Sequence, residues 1–146
     1  MICYLDASAL VKRYVAERGS ELVQHAVAEA RSLGTATISR AEIVAAFAKA
    51  VRLGVLVREE GLACRQLFSQ EWPHLVRIQV SEAVVDRAAA VAWADNLRGY
   101  DAVHLAAAAA WQDWLGEPVT LATFDARLWT AARRNGLSVL PEDALT

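Results

Sequence analysis

The chain has 146 residues, 55% of them hydrophobic and 22% charged, a balance that supports a sizeable core and excludes a disordered chain. Lys and Arg number 15 against 17 Asp and Glu, a formal charge of −2, so the chain is no polycation; contact with nucleic acid must come from local basic patches or bound cations. Two cysteines exclude a disulfide scaffold, no apolar run is long enough to cross a bilayer, and Met1–Asp6 has no signal-peptide character.

These features read as one cytoplasmic domain over residues 1–146 with no membrane segment, Cys3 and Cys64 serving as buried structural thiols. Five tryptophans in so small a chain imply that some apolar surface meets a partner.

In chain order, the short β-prone run Ile2–Leu5 predicts a buried strand ending at Asp6. Ser8 is placed to cap a helix carrying Leu10, Val11, Tyr14 and Val15, broken at Gly19, and Leu22–Leu33 predicts a second helix stopped by Gly34. Thr35–Ile38 reads as a strand. Ser39 starts a helix in which Ile43, Val44, Phe47 and Val51 recur at helical spacing until Gly54. Val57–Glu71 is helical up to Pro73, Val76–Val80 a strand, and Ser81 caps a helix reaching about Asn96. An Ala-rich helix follows over Tyr100–Leu115, then the strand Val119–Thr123, the helix Asp125–Asn135 and the strand Ser138–Leu140. Short, continuously apolar strands alternating with helices predict an α/β fold, an open parallel sheet with helices on both faces. Ligands of such sheets bind at the carboxyl ends of the strands.

Four acids fall at that edge. Asp6 ends the first strand, Asp125 follows Val119–Thr123, and Glu42 and Asp101 lie in first helical turns. Each has an ordinary explanation. Ser39-Arg40-Ala41-Glu42 matches a capping box, Asp125 suits an N-cap, Asp101 complements a helix dipole, and Asp6 can cap the first helix. Together they repel: one like-charge pair at about 5 Å, with an effective dielectric near 20, costs about 3 kcal/mol. The cluster therefore calls for raised pKa values or a cation, and hard oxygen donors favour Mg2+ or Mn2+.

Four segments then resemble the motifs of PIN-domain ribonucleases, specifically VapC-type toxins of prokaryotic type II toxin–antitoxin pairs. They are Tyr4-Leu5-Asp6-Ala7-Ser8-Ala9-Leu10, Ser39-Arg40-Ala41-Glu42, Tyr100-Asp101-Ala102-Val103-His104-Leu105-Ala106, and Thr123-Phe124-Asp125 with Leu128 and Ala131. The resemblance spans nearly the whole chain, and no motif acid is substituted. It implies metal-dependent hydrolysis of RNA phosphodiester bonds, with Asp6 and Asp101 as principal ligands of Mg2+ or Mn2+. Glu42 and Asp125 would complete the acidic pocket, and Ser8 and Thr123 would orient carboxylates. It further implies a homodimer and a small VapB-like antitoxin whose C-terminal segment lies in an apolar groove; Leu10, Tyr14, Phe47, Leu53, Val55 and Leu56 are candidates for that groove.

Lys12, Arg13, Arg40 and Arg98 lie near the predicted edge and are candidates for RNA phosphates, against simple solvation. His104 reads as a structural hydrogen-bonding residue, since metal-supplied hydroxide needs no imidazole. A haloacid-dehalogenase-like phosphatase wants a second acid where this chain has Ser8, and a receiver domain wants a late-strand Lys, absent between Val119 and Leu140. The alternative to a nuclease is a non-catalytic PIN-type module that binds RNA or a partner without turnover; the intact acid set argues against it.

Overall fold

Every residue of Ile2–Leu5 is buried, as expected of a strand covered on both faces, and this strand (β1) is the centre of the sheet. A computed structural model of the chain describes residues 1–144. Around β1 lie β2 (Ser32–Ala36), β3 (Val76–Ile78), β4 (Val119–Ala122) and β5 (Ser138–Leu140), in the order β3-β2-β1-β4-β5 with all pairings parallel. The α/β fold read from the sequence is the one observed.

The helices are α1 (Ala7–Leu10), α2 (Ser20–Glu29), α3 (Ser39–Arg52), α4 (Arg58–Glu71), α5 (Glu82–Asp95), α6 (Gly99–Leu115) and α7 (Ala126–Arg134). They divide by face, and β1 shows how. Ile2 and Tyr4 pack into a core built with α5, α6 and α7, whereas Cys3 and Leu5 pack into a second core with α1, α2, α3 and α4. The run Ala106–Ala110 brings α6 close against the sheet, with Trp111 filling the space beyond it. Strand order reverses direction at β1: the chain first builds outward through β2 and β3, then returns to lay β4 and β5 on the other side. The carboxyl ends of β1 and β4, occupied by Asp6 and Thr123, thus flank the switch point where open α/β sheets place their ligands.

Several local expectations are corrected. The first helix is capped by Asp6, not Ser8, and lasts one turn before a 3-10 turn over Val11–Arg13. The second strand begins at Ser32 and ends at Ala36, so Gly34 is no helix stop. A Cβ at Gly34 would lie 2.6 Å from the Trp111 ring, so the glycine admits α6 against β2. Gly34→Ala is expected to lower stability by about 1–3 kcal/mol, the usual cost of overpacking, read from urea denaturation.

The capping box at Ser39 is absent. Ile38 occupies the N-cap position and no side chain caps α3. Ser39 Oγ instead shares a 2.6 Å hydrogen bond with Thr35 Oγ1, whose hydroxyl also lies 2.7 Å from the Leu5 carbonyl. This buried pair ties the ends of β1 and β2 to the start of α3 and releases Glu42 for other work. Cys3 is fully buried, which pushes its thiol up to about 12, while Cys64 is only half-buried. Trp111 and Trp129 are buried, but Trp114 is exposed.

Candidate active site

Asp6 is the most buried of the four acids, at 3% exposure, and both its oxygens are held. Oδ1 accepts from Ser8 Oγ at 2.7 Å and from the Ala9 amide at 2.9 Å, and Oδ2 accepts from Thr123 Oγ1 at 2.6 Å. One residue thus serves as N-cap and as a fixed carboxylate at the sheet edge. Burial pushes its pKa above the usual carboxylate range; His104 nearby and the hydrogen bonds from Thr123, Ser8 and Ala9 oppose that shift without cancelling it.

The two hydroxyls are themselves fixed. Ser8 Oγ accepts from the Phe124 amide at 2.9 Å, and Thr123 Oγ1 accepts from the Asp125 amide at 3.1 Å. Ser8 and Thr123 therefore connect the ends of β1 and β4 through Asp6. Asp125 caps α7, its Oδ1 accepting from the Leu128 amide at 2.9 Å.

Asp101 and Asp125 are joined by one guanidinium. Arg98 Nε donates to Asp101 Oδ2 at 2.9 Å, and its terminal nitrogen Nη2 donates to Asp125 Oδ2 at 3.1 Å. Arg98 also lines, with Glu42 and Asp101, an open cavity of about 670 Å³ whose other wall is apolar, including Val85, Ala88 and Val103. Glu42, half-buried on α3, reaches the buried His104 of α6 at 2.7 Å. Arg98 thus offsets the charge of Asp101 and Asp125, while His104 hydrogen-bonds Glu42.

The other basic candidates separate. Lys12 pairs with Glu17 at 2.8 Å and lies 4.5 Å over the Phe124 ring, beside Thr123 and Asp125. Arg13 is engaged elsewhere: Nε and Nη2 fork onto Glu71 at 2.9 and 3.0 Å, where Tyr14 Oη also donates. Arg40 is exposed and lies over the Trp72 ring, 5.9 Å from its centre. The structure thus draws Asp6, Ser8, Glu42, Arg98, Asp101, Thr123 and Asp125 into one continuous neighbourhood and gives Arg13 and Arg40 partners outside it. Sequence reasoning passed over Tyr4, which hydrogen-bonds His104 from the middle of an apolar strand. The only signal was a lone hydroxyl in that run.

Among the described residues, no three His, Cys, Asp or Glu side chains are gathered as a ready-made metal cluster. The donor set nonetheless suits a hard divalent cation: its free donors are carboxylate oxygens, and a guanidinium already stands as a positive charge between two of them.

No protein-family model matches the sequence. Ribonucleases VapC45 and VapC49 of Mycobacterium tuberculosis are each 33% identical over 141 residues, covering 96% of this chain and 95% of theirs. The chain belongs to the VapC ribonuclease family. Another VapC ribonuclease of that organism, VapC46, is 29% identical over 137 residues, covering 94% of this chain and 95% of its own.

Solved structures share the VapC fold at lower identity. A toxin–antitoxin complex from Klebsiella pneumoniae superposes with a TM-score of 0.66 at 15% identity, covering 97% of this chain and 98% of that one. VapBC2 from Rickettsia felis, bound to a promoter DNA fragment, gives 0.63 at 16% identity over 95% and 97% of the two chains.

Proposed function

We propose that this VapC chain is a divalent-metal-dependent ribonuclease, one nuclease domain over residues 1–146, acting in the cytoplasm as the toxin of a toxin–antitoxin pair. The observation that carries the reading is the buried, doubly held carboxylate of Asp6 at the switch point, in one connected set with Thr123, Asp125, Arg98 and Asp101. Asp6 and Asp101 would hold Mg2+ or Mn2+, with Glu42 and Asp125 completing the pocket. Such an ion supplies hydroxide near neutral pH and neutralises charge on the phosphoryl oxygens.

The chain's own groups set the geometry. Ser8 and Thr123 fix the plane of the Asp6 carboxylate, a support that commonly matters 10–100-fold at metal sites. Arg98 is exposed and, among the described residues, held by two carboxylates alone, so it is placed to exchange them for an RNA phosphate. Lys12 is the second phosphate candidate near the edge; the proposal for Arg13 and Arg40 requires them to leave Glu71 and Trp72.

The partner reading rests on exposed apolar side chains. Leu53 and Val55 are each 64% exposed at the turn between α3 and α4. They adjoin a groove of about 310 Å³ lined by Val44, Phe47, Val51 and Leu62, with Arg58 and Arg65 at its rim. A VapB-like antitoxin segment with apolar and acidic side chains fits this groove. Phe47 is buried and forms part of its floor, whereas Leu10, fully buried, does not line it. A second apolar surface, with Val85, Trp93 and Tyr100 exposed along α5 and the start of α6, is assigned to the homodimer. No helix among the described residues is long and apolar enough to cross a membrane.

The test is cleavage of a mixed RNA pool by purified protein in Mg2+, in Mn2+ and in chelator. Cutting in metal and none in chelator is the expected result. A folded protein that binds RNA but never cuts it would make the chain a binding module instead.

A further inference from the structure

The mechanism outlined above leaves one buried polar chain without a task. His104 is 2% exposed, yet each ring nitrogen has a partner: Nε2 lies 2.7 Å from Glu42 Oε1, and Nδ1 lies 2.8 Å from Tyr4 Oη. Tyr4 is fully buried in β1 and meets the imidazole edge-on, with ring centres 5.9 Å apart. Asp101 sits one helical turn before His104 on α6, so the imidazole stands behind the acidic edge.

We propose that His104, backed by Tyr4, is a positioning residue that holds Glu42 in its working orientation. This rests on the reading of Glu42 as part of the metal pocket.

The hydrogen-bond inventory fixes the direction of the contact. An ionised carboxylate offers only lone pairs, so the proton between His104 and Glu42 must be on Nε2. Neutral imidazole then presents a bare Nδ1, to which the Tyr4 hydroxyl donates; a tyrosine hydroxyl equally accepts if Nδ1 carries a proton. Tyr4 thereby keeps the Nε2–H directed at Glu42 in either form. The ring cannot flip without setting a bare nitrogen or carbon against the carboxylate.

Glu42 needs such a tether because, among the described residues, its one side-chain hydrogen bond is to His104. The capping-box bond that would anchor its side chain is absent. With Oε1 taken, Oε2 is left for the cavity that Glu42 shares with Asp101 and Arg98. A glutamate has three side-chain torsions, and the bond to His104 removes most of that freedom before a ligand arrives. The tether also crosses the sheet, linking β1, α3 and α6, so the three elements carrying Asp6, Glu42 and Asp101 are braced against one another.

The experiment uses the full chain and three readouts: Mn2+ affinity of metal-free protein by calorimetry, kcat and KM for RNA cleavage, and thermal melting. His104→Ala is expected to weaken Mn2+ binding, kcat or both by about 10–100-fold, the range for supporting groups at metal sites, with KM for RNA little changed. His104→Gln, whose amide N–H reaches to about the position of Nε2, is expected to recover most of that loss, and His104→Leu, which fills the space without an N–H, serves as the folded loss-of-contact variant should the alanine form be too unstable. Tyr4→Phe should shift the same readouts in the same direction by less. In a Glu42→Ala background, His104→Ala should add nothing further, because the two act through one contact.

Wild-type Mn2+ affinity and kcat in His104→Ala, with only a lower melting temperature, would overturn the proposal, as would a well-folded His104→Gln that recovers nothing of the loss in His104→Ala. So would effects of Glu42→Ala and His104→Ala that multiply. Glu42→Ala with full activity while Asp6→Asn is inactive would overturn the positioning role and leave the nuclease reading standing. A wild type that neither binds Mn2+ nor cuts RNA would remove both.

Discussion

Asp6→Asn is expected to lower RNA cleavage by at least about 10²–10³-fold, the loss typical when one electrostatic group is removed at a reacting centre, without unfolding the protein. Asn keeps the N-cap, because its side-chain oxygen still accepts from the Ala9 amide. It removes the charge, and that charge is not a stabilising one. Burial raises the Asp6 pKa in the folded state, so the folded chain binds this proton more tightly than the unfolded chain does. Stability therefore falls as pH rises from the ordinary carboxylate value through the raised one, and above that window the ionised group costs its full amount. Metal-free Asp6→Asn should accordingly melt at or above the wild type at neutral pH. That advantage should shrink as the pH is brought below the ordinary carboxylate range. Melting curves at several pH values beside the cleavage assay test both halves. Retained cleavage with an unchanged melting temperature would mark Asp6 as a cap and nothing more.

Adding Mg2+ to the metal-free protein is expected to raise its melting temperature, since an ion bound only by the folded chain stabilises it by mass action. At 100 times Kd the gain is about 2.7 kcal/mol, which for a chain of this size corresponds to roughly 5–10 °C. Asp101→Asn should lose most of that shift. Its side chain cannot supply the same charge, and its present partner Arg98 then has only Asp125 to engage. Chelator should return the wild type to its starting temperature. An equal shift in Asp101→Asn would place the ion somewhere other than the acidic edge.

How far the sequence reaches is clearest at particular residues. The α/β class followed from short apolar strands such as Ile2–Leu5, because burial on both faces leaves a continuous apolar run. Asp6, Glu42, Asp101 and Asp125 stood out because strand ends and helix starts share one edge in such a sheet. Gly34 misled, since a glycine at the end of an apolar helical pattern looks like a stop; its true constraint is the Trp111 ring, 77 positions away in the chain. Ser39 and Glu42 misled in the same way. Their spacing is that of a capping box, but Thr35 and His104 compete for the two side chains and win through buried hydrogen bonds. Tyr4 was illegible for the opposite reason: in an apolar strand a tyrosine reads as core, and only the packed fold shows its hydroxyl meeting an imidazole. Arg98 was legible as a cation near the edge, but not as the bridge between two acids 24 positions apart.

The most direct measurement is a Mn2+ titration of metal-free protein in which bound ion, by electron paramagnetic resonance, and RNA cleavage are followed in the same samples. Cleavage should rise in step with occupancy, and Asp6→Asn and Asp101→Asn should lose both signals together. Cleavage that persists in chelator, or that is unchanged in both variants, would show that the acidic edge is not where RNA is cut.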